Sequence, residues 1–356
     1  MELRVETHRL EGLVIRVNSG WDRHTTVVRL EGAGQVGLGE DVTYHAGDQL
    51  ALQRRGAIHP LVGDHTLDSF SAMLETLELF EQDPNDAASR DYRRWALEAA
   101  ALDLALSQNA LTLHGALGIE PAPVRFVVSM GLPAPPALDP LPSFLRNDPG
   151  LRFKLDATSR WTDETVRQLA TTGAVEVVDL KGFYHDTPVD QPPDAELYRR
   201  VAEGLPTAWI EDPALTAETS AVLRDHRQRI TWDAPIHSVA DIEALPFAPR
   251  VLNIKPSRFG TLRRLLDAYD HCNQHGIRMY GGGQFELGPG RAQIQYLASL
   301  FHPAAPNDVA PTIYHDTAPR AGLPRSPLVQ KLAPAGFARE ETEANQPLDE
   351  GAKEQP

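Results

Sequence analysis

Three short apolar runs in this chain each close on a carboxylate: AVEVVDL on Asp179, TAWIEDP on Glu211 and RITWDAP on Asp233. Carboxylates brought to one place repel one another unless a cation sits among them. Mg2+ is the natural candidate, with Mn2+ as the alternative. Hard carboxylate oxygens suit such an ion, and it keeps coordination positions open for water or substrate. Neighbouring runs close on lysines: Lys154 and Asp156 stand in LRFKLDA, Lys181 follows Asp179, and Lys255 ends RVLNIKP. Side chains alternate along a strand, so Lys154 shares a face with Asp156, and Asp179 with Lys181. The bland reading of each acid is a helix cap or a lysine partner with no chemistry. Three on consecutive runs, flanked by lysines, favour a metal.

The elements that must carry these groups recur at a regular interval. Apolar runs start at 124, 151, 174, 207, 229, 250 and 277, with a weaker eighth, DVAPTIY, at 308. Most gaps hold one amphipathic segment, such as DETVRQLATTG or TLRRLLDAYDHCNQHG. Seven or eight strand-then-helix units predict parallel strands joined by crossover helices, and eight predict a closed (β/α)8 barrel. In such a barrel the strand C-termini form the catalytic face, which is where the charged residues fall. The gap GLPAPPALDPLPSFLRNDPG is proline-rich and predicts a short helix. Upstream, LRVETHRLEGLVIRV, TTVVRL and GQVGLGED read as three strands, and residues 67–82 and 89–108 as helices, an α+β unit. GQVGLGED lacks a phosphate-loop lysine and the dinucleotide spacing, so its glycines read as a strand and tight turn.

Composition bounds the partners. The 356 residues carry a formal net charge of −15, which disfavours nucleic acid and anionic membranes. No run approaches the roughly 18 apolar residues of a membrane helix. The single cysteine, Cys272, leaves no internal disulfide and fits a reducing compartment. MELRVETHRL has neither a basic region nor an apolar stretch of secretory type, so a cytoplasmic location is expected.

In order along the chain, VNSGWDRHTTVVRLEGAGQVGLGED, RRWALEAAALDLALSQNALTLHGALG, VLNIKPSRFG and GGGQFELGPGRAQIQYLASL resemble the enolase superfamily, in its muconate-lactonizing-enzyme and mandelate-racemase-like branch. The resemblance runs from about residue 10 to 320. It implies a modified (β/α)8 barrel over residues 121–320, an α+β capping domain over 1–120, and a return to that domain over 321–335. The polar tail, 336–356, is expected to be disordered. The implied chemistry is abstraction of the proton α to the carboxylate of a small substrate through a Mg2+-stabilised enediolate, giving racemisation, dehydration or cycloisomerisation. Carried over, Asp179, Glu211 and Asp233 are the metal ligands and Lys255 is a general base or acid. Glu211 then faces inward, Asp212 points away, and Pro213 ends the strand. Glu286 stands near the substrate. Trp21, Arg23 and His24 lie in a loop over the barrel mouth, and Tyr184, with His185, lies in the insertion GFYHDTPVDQPPD at its rim. A homo-oligomer, dimer or octamer, is implied as well.

Three departures from the family pattern bear on mechanism. Strand two usually carries Lys-x-Lys; here Lys154 matches the first lysine and Asp156 takes the place of the second. Strand three usually reads Asp-x-Asn, and here Lys181 replaces the asparagine. Strand five lacks its second acid, because Ala234 follows Asp233. The second acid/base is therefore Asp156, Lys154 in a shifted register, or Lys181, or else Lys255 works alone. Lys181 and Asp156 also read as a charge-swapped pair. A barrel that has lost the chemistry and only binds a metal, ligand or partner is the rival reading. A carboxylate-pair glycosidase is a third, which the capping-domain resemblance disfavours.

Overall fold

The computed structural model describes residues 1–17, 20–133, 137–185, 187, 189–315, 319 and 322–337. The chain opens with a capping domain. Strands β2 (Thr7–Arg16), β3 (Asp22–Gly32) and β4 (Gln35–Asp41) form an antiparallel meander. Beside it, β1 (Glu2–Val5) pairs antiparallel with β5 (Gly63–Thr66). Helix Ser89–Gln108 lies across the meander and is buried along most of its length. Two glycines of GQVGLGED permit that approach. A Cβ on Gly37 would stand 2.1 Å from the Ala100 carbonyl oxygen, and one on Gly39 2.0 Å from that of Ala96. These glycines therefore serve helix–sheet packing.

The barrel follows. Strands β6 (Val128–Gly131), β7 (Phe153–Asp156), β8 (Val175–Asp179), β9 (Trp209–Glu211) and β10 (Ile230–Thr231) are parallel neighbours in that order. Strands β11 (Val251–Ile254) and β12 (Arg278–Gly281) form a second parallel pair. Backbone bonds join the two sets. The Asn253 amide donates to the Trp232 carbonyl at 3.0 Å, and Gly282 bridges Asp308 in parallel. Phe126 in turn bridges Asn307, which brings the chain back to β6. The eighth predicted strand is thus reduced to isolated bridges at 307–308. Crossover helices start at side-chain caps: Thr162, Asp194, Thr216 and Thr261 each accept an amide from the first turn. The helix after β6 spans only Leu141–Asn147, as its prolines predict. The architecture is a modified (β/α)8 barrel with an N-terminal α+β capping domain.

Polar clamps join cap to barrel. Glu40, at the end of β4, accepts the amides of Leu287, Gly288 and Gly290 at 2.6, 2.9 and 3.0 Å, where helix Pro289–Phe301 begins. Burial, then Glu286, pushes the Glu40 carboxyl up. Arg23 is fully buried and donates to the carbonyls of Val42, Thr43, Gln284 and Phe285. Of the expected tail, Gly336 and Phe337 are placed: Phe337 is buried against Trp95 and Tyr296, and its amide donates to Asp103 at 2.8 Å. The remainder, 338–356, lies outside the described residues.

Candidate active site

Barrel strands β7 to β11 aim their C-terminal side chains at one another. Asp179, Glu211, Asp212 and Asp233 are all fully buried. One carboxylate oxygen each from Asp179, Glu211 and Asp212 lie within 4.8 Å of one another, the one group of this kind found among the described residues. Asp212 was expected to point away from Glu211. It does not, because β9 ends at Glu211 and Asp212 takes a φ of 49°, which breaks the alternation and turns both acids inward. Its oxygens accept the amides of Asp233 and Ala234 at 2.8 and 2.9 Å. Lys181 (φ 53°) and Phe285 (φ 61°) hold the same left-handed backbone at other barrel-strand ends. Such strain costs on the order of 1–3 kcal/mol per residue and concentrates at functional sites.

Four cations answer the acids. Lys154, 1% exposed, donates to Glu211 and lies 3.5 Å from Asp179 and 3.3 Å from Asp308. Lys181 reaches Asp179 at 2.5 Å and Asp156 at 3.1 Å, so two of the three residues that depart from the family pattern form one ion pair. Lys255 lies 2.7 Å from one oxygen of Asp233 and Arg258 2.9 Å from the other. Tyr184 donates to Asp233 at 3.3 Å, and Tyr280 donates to Glu211. Burial works to raise the Asp233 carboxyl, but Arg258 and Lys255 outweigh it and hold that group well below the usual range. Asp179 is lowered in the same way, Lys181 and Lys154 overcoming its burial. Glu211 is pushed far up by burial despite Lys154, with Asp179 and Asp233 adding to the rise. Asp212 is pushed up to about 7 by burial and then by Asp233 and Asp179.

The donor set fits a divalent cation. Asp156, Asp179, Glu211, Asp212, Asp233 and Asp308 are six carboxylates facing the four cations Lys154, Lys181, Lys255 and Arg258. With all six ionised the surplus is two negative charges, which matches Mg2+; Glu211 and Asp212, both pushed up, would give up their protons to the ion, and the clustered oxygens are the hard donors it takes.

Other expected residues fall elsewhere. Arg23 and His24 belong to β3, which starts at Asp22, and not to a loop. Arg23 spends its guanidinium on backbone carbonyls, and strand alternation puts His24 on the opposite face. Trp21 does reach the barrel, its ring 6.2 Å from Phe285, which stacks on His315 at 4.1 Å. Glu286 accepts the Gln284 amide at 2.6 Å and pairs with Arg291 at 3.1 Å. The His185 side chain is 70% exposed, with Asp190 at 4.0 Å. Sequence reasoning gave no role to Arg258, Tyr280 or Asp308. Each had a signal: Arg258 lies three residues past Lys255, Tyr280 ends an apolar run, and Asp308 opens the eighth.

Residues 120–316 match the family described as "Domain of unknown function (DUF8230) C-terminal domain", and residues 1–116 its N-terminal domain counterpart. The chain belongs to the DUF8230 family. Among curated relatives, an N-succinylamino acid racemase from Amycolatopsis sp is 32% identical over 226 residues. That match takes in 60% of this chain and 59% of the relative. Among solved structures, a mandelate racemase/muconate lactonizing protein from Herpetosiphon aurantiacus superposes with a TM-score of 0.68 at 17% identity, over 94% of this chain and 97% of that one. A dipeptide epimerase from Methylococcus capsulatus, complexed with Mg ion, gives 0.65 at 22% identity, over 86% and 89%. The fold of this DUF8230 chain is that of the enolase superfamily.

The raised Asp212 carboxyl makes metal-free stability depend on pH. Its folded pKa, about 7, exceeds the ordinary 3.8, so its stabilising contribution is complete below the unfolded value and is lost as pH rises toward 7. The loss amounts to at most about 4 kcal/mol at ~1.4 kcal/mol per unit. Urea unfolding in chelator at pH 4.5, 6 and 7.5 is expected to give an Asp212→Asn minus wild-type difference that grows in favour of the variant as pH rises. Parallel curves would acquit Asp212. The missing acceptor oxygen adds a constant cost and leaves that slope intact.

Proposed function

We propose that this DUF8230 barrel abstracts the proton α to the carboxylate of a small organic acid, with a divalent cation, most simply Mg2+, bound at the carboxylate cluster. The observation that carries the reading is the buried group of acids at the strand ends with Lys255 Nζ 2.7 Å from one of them, Asp233. Asp179 and Glu211 would hold the ion; Asp233, expected as the third ligand, has its two oxygens on Lys255 and Arg258 and, with Asp212, would supply the remaining negative charge around it. When bound, the ion would stabilise the negative charge that develops on the substrate carboxylate.

The chain's own residues do the rest. As the neutral amine, its ammonium proton having first passed to solvent, Lys255 takes the α-proton at Nζ. Arg258 stays on Asp233 and keeps that acid oriented when Lys255 turns to substrate. Asp212 fixes the backbone that carries Asp233. A Cβ on Gly282 would lie 2.8 Å from the Lys255 Cε, so glycine there leaves the lysine room to move. Lys154, held by three acids, serves as a fixed counter-charge. Trp21 and the Phe285–His315 stack offer the distal part of the substrate an aromatic wall. Burial and Arg291 push the His315 imidazole down to about 3, so that wall is uncharged. Arg291 divides its guanidinium between Glu286 at 3.1 Å and the His315 ring at 3.3 Å. The reading therefore favours substrates whose distal group is neutral and apolar, acted on by racemisation or elimination.

The test is incubation with Mg2+ in D2O against pooled N-acyl amino acids, dipeptides, acid sugars and aryl acids, read by mass. Deuterium uptake or water loss in one class, abolished by chelator, is the expected result. No uptake in any class, from protein shown to bind the ion, would shift the assignment to a barrel that binds without catalysing.

A further inference from the structure

We infer that Lys181 is a resident counter-ion that occupies the cation site at Asp179 in the metal-free protein and transfers to Asp156 when a divalent ion binds. This rests on the metal binding proposed above and adds to it a built-in competitor. The Asp179 Oδ2 atom already faces two ammonium groups, Lys181 at 2.5 Å and Lys154 at 3.5 Å. An ion bound to that oxygen must displace at least one of them, because like charges at such range repel by several kcal/mol even at an effective dielectric of about 20.

The two lysines are not equally free to leave. Lys154 has its side chain 2% exposed and is enclosed by Glu211, Asp179 and Asp308. All of its acidic partners sit around the same cluster. Lys181 has a second partner outside it: Asp156 lies 3.1 Å from the same ammonium, with its own side chain 33% exposed toward the mouth. The Tyr184 ring, 5.1 Å away, offers a further face for the cation on that side. The Lys181 side chain is itself 15% exposed, against 2% for Lys154.

The backbone argues that this placement is selected. Lys181 holds a φ of 53°, a conformation that a lysine adopts only when its surroundings impose it. Its amide donates to Asp179 Oδ1 at 3.0 Å, so main chain and side chain together wrap one carboxylate. An asparagine at this position would leave the oxygen to the metal. Lysine makes the empty site electrically tolerable and binding of the ion a displacement.

The experiment is calorimetric titration of metal-free protein with Mg2+ and Mn2+, comparing wild type, Lys181→Met and Asp156→Asn. Lys181→Met is expected to bind at least tenfold more tightly, because nothing need be displaced. Asp156→Asn is expected to bind more weakly than wild type, because the displaced ammonium has lost its charged destination. Equal affinities in all three proteins would overturn the inference while leaving the proposed metal site standing. No binding to wild type or to Lys181→Met would overturn both. Should Lys181→Met fail to fold, Asp156→Asn alone decides: unchanged or tighter binding refutes the exchange. None of these readouts requires turnover, so loss of the proposed activity would leave the inference unaffected.

Discussion

Replacing Lys255 by Met is expected to lower α-proton exchange by about 10²–10⁴-fold, the range that a positioned general base supplies. Lys255 is 7% exposed and follows β11 directly, with Pro256 opening a one-turn helix behind it. That placement fixes the lysine backbone, while the long side chain reaches the acids. The variant should remain folded, because Asp233 keeps Arg258 at 2.9 Å and a bond from Tyr184. Circular dichroism and retained calorimetric Mg2+ binding would establish that the loss is chemical. Exchange that persists in Lys255→Met would move the base to Lys181 or Asp156, which pair at 3.1 Å at the ends of β8 and β7. A racemase also needs a proton carrier on each face of the substrate, so substrate racemisation and deuterium washout should be measured together. Equal losses in both point to Lys255 on the path of either enantiomer. Washout lost for one enantiomer alone would assign Lys255 to one face and require a second base.

How far the sequence foretold this site depended on how local each determinant was. Parallel strands buried on both faces read as apolar runs, and those that close on charged residues marked the barrel mouth. The Lys181–Asp156 pair was legible because both positions break a pattern whose metal-ligand positions carry the usual acids, Asp179, Glu211 and Asp233. Asp212 was misplaced because alternation was extended one residue past the end of β9, and a positive φ on a non-glycine residue leaves no mark in composition. Arg23 was read as a loop residue because NSGWDRH is polar. Its charge is satisfied by carbonyls at 284 and 285, more than 260 positions away, which no local pattern encodes. Helix Ala46–Arg55 went unread for a related reason: AGDQLALQRR buries only Gln49 and Leu52, too few apolar positions to show a period. Phe337 is a single aromatic in a polar tail, and one anchor residue has no periodicity to detect.

Lys154→Met should instead be felt in stability, at about 3–5 kcal/mol in metal-free protein, the usual cost of stripping one partner from a buried ion cluster. Methionine matches the lysine stem, so packing changes little and the loss is electrostatic. Burial alone would drive the Lys154 ammonium toward its neutral form. Glu211, Asp308 and Asp179 reverse this and hold its pKa well above the ordinary value. A raised lysine stabilises the fold below its unfolded pKa and is lost only as pH rises through the folded one, so the contribution is complete at neutral pH. Without it, Glu211 and Asp179 share a buried site whose nearest cation is Lys181. Urea unfolding in chelator is the check, repeated with saturating Mg2+. The ion should restore part of the loss, because a ligand that binds only the folded state stabilises it in proportion to its occupancy. A variant as stable as wild type in chelator would show the acids to be protonated when Lys154 is absent. In that case the cluster would need a metal for charge balance only while Lys154 keeps its acids ionised. A loss that Mg2+ does not touch would place the ion away from Glu211 and Asp179. The same variant also separates two roles for Lys154. A fixed counter-charge predicts that exchange activity per folded molecule is largely kept in Mg2+, whereas a proton carrier predicts that it is lost.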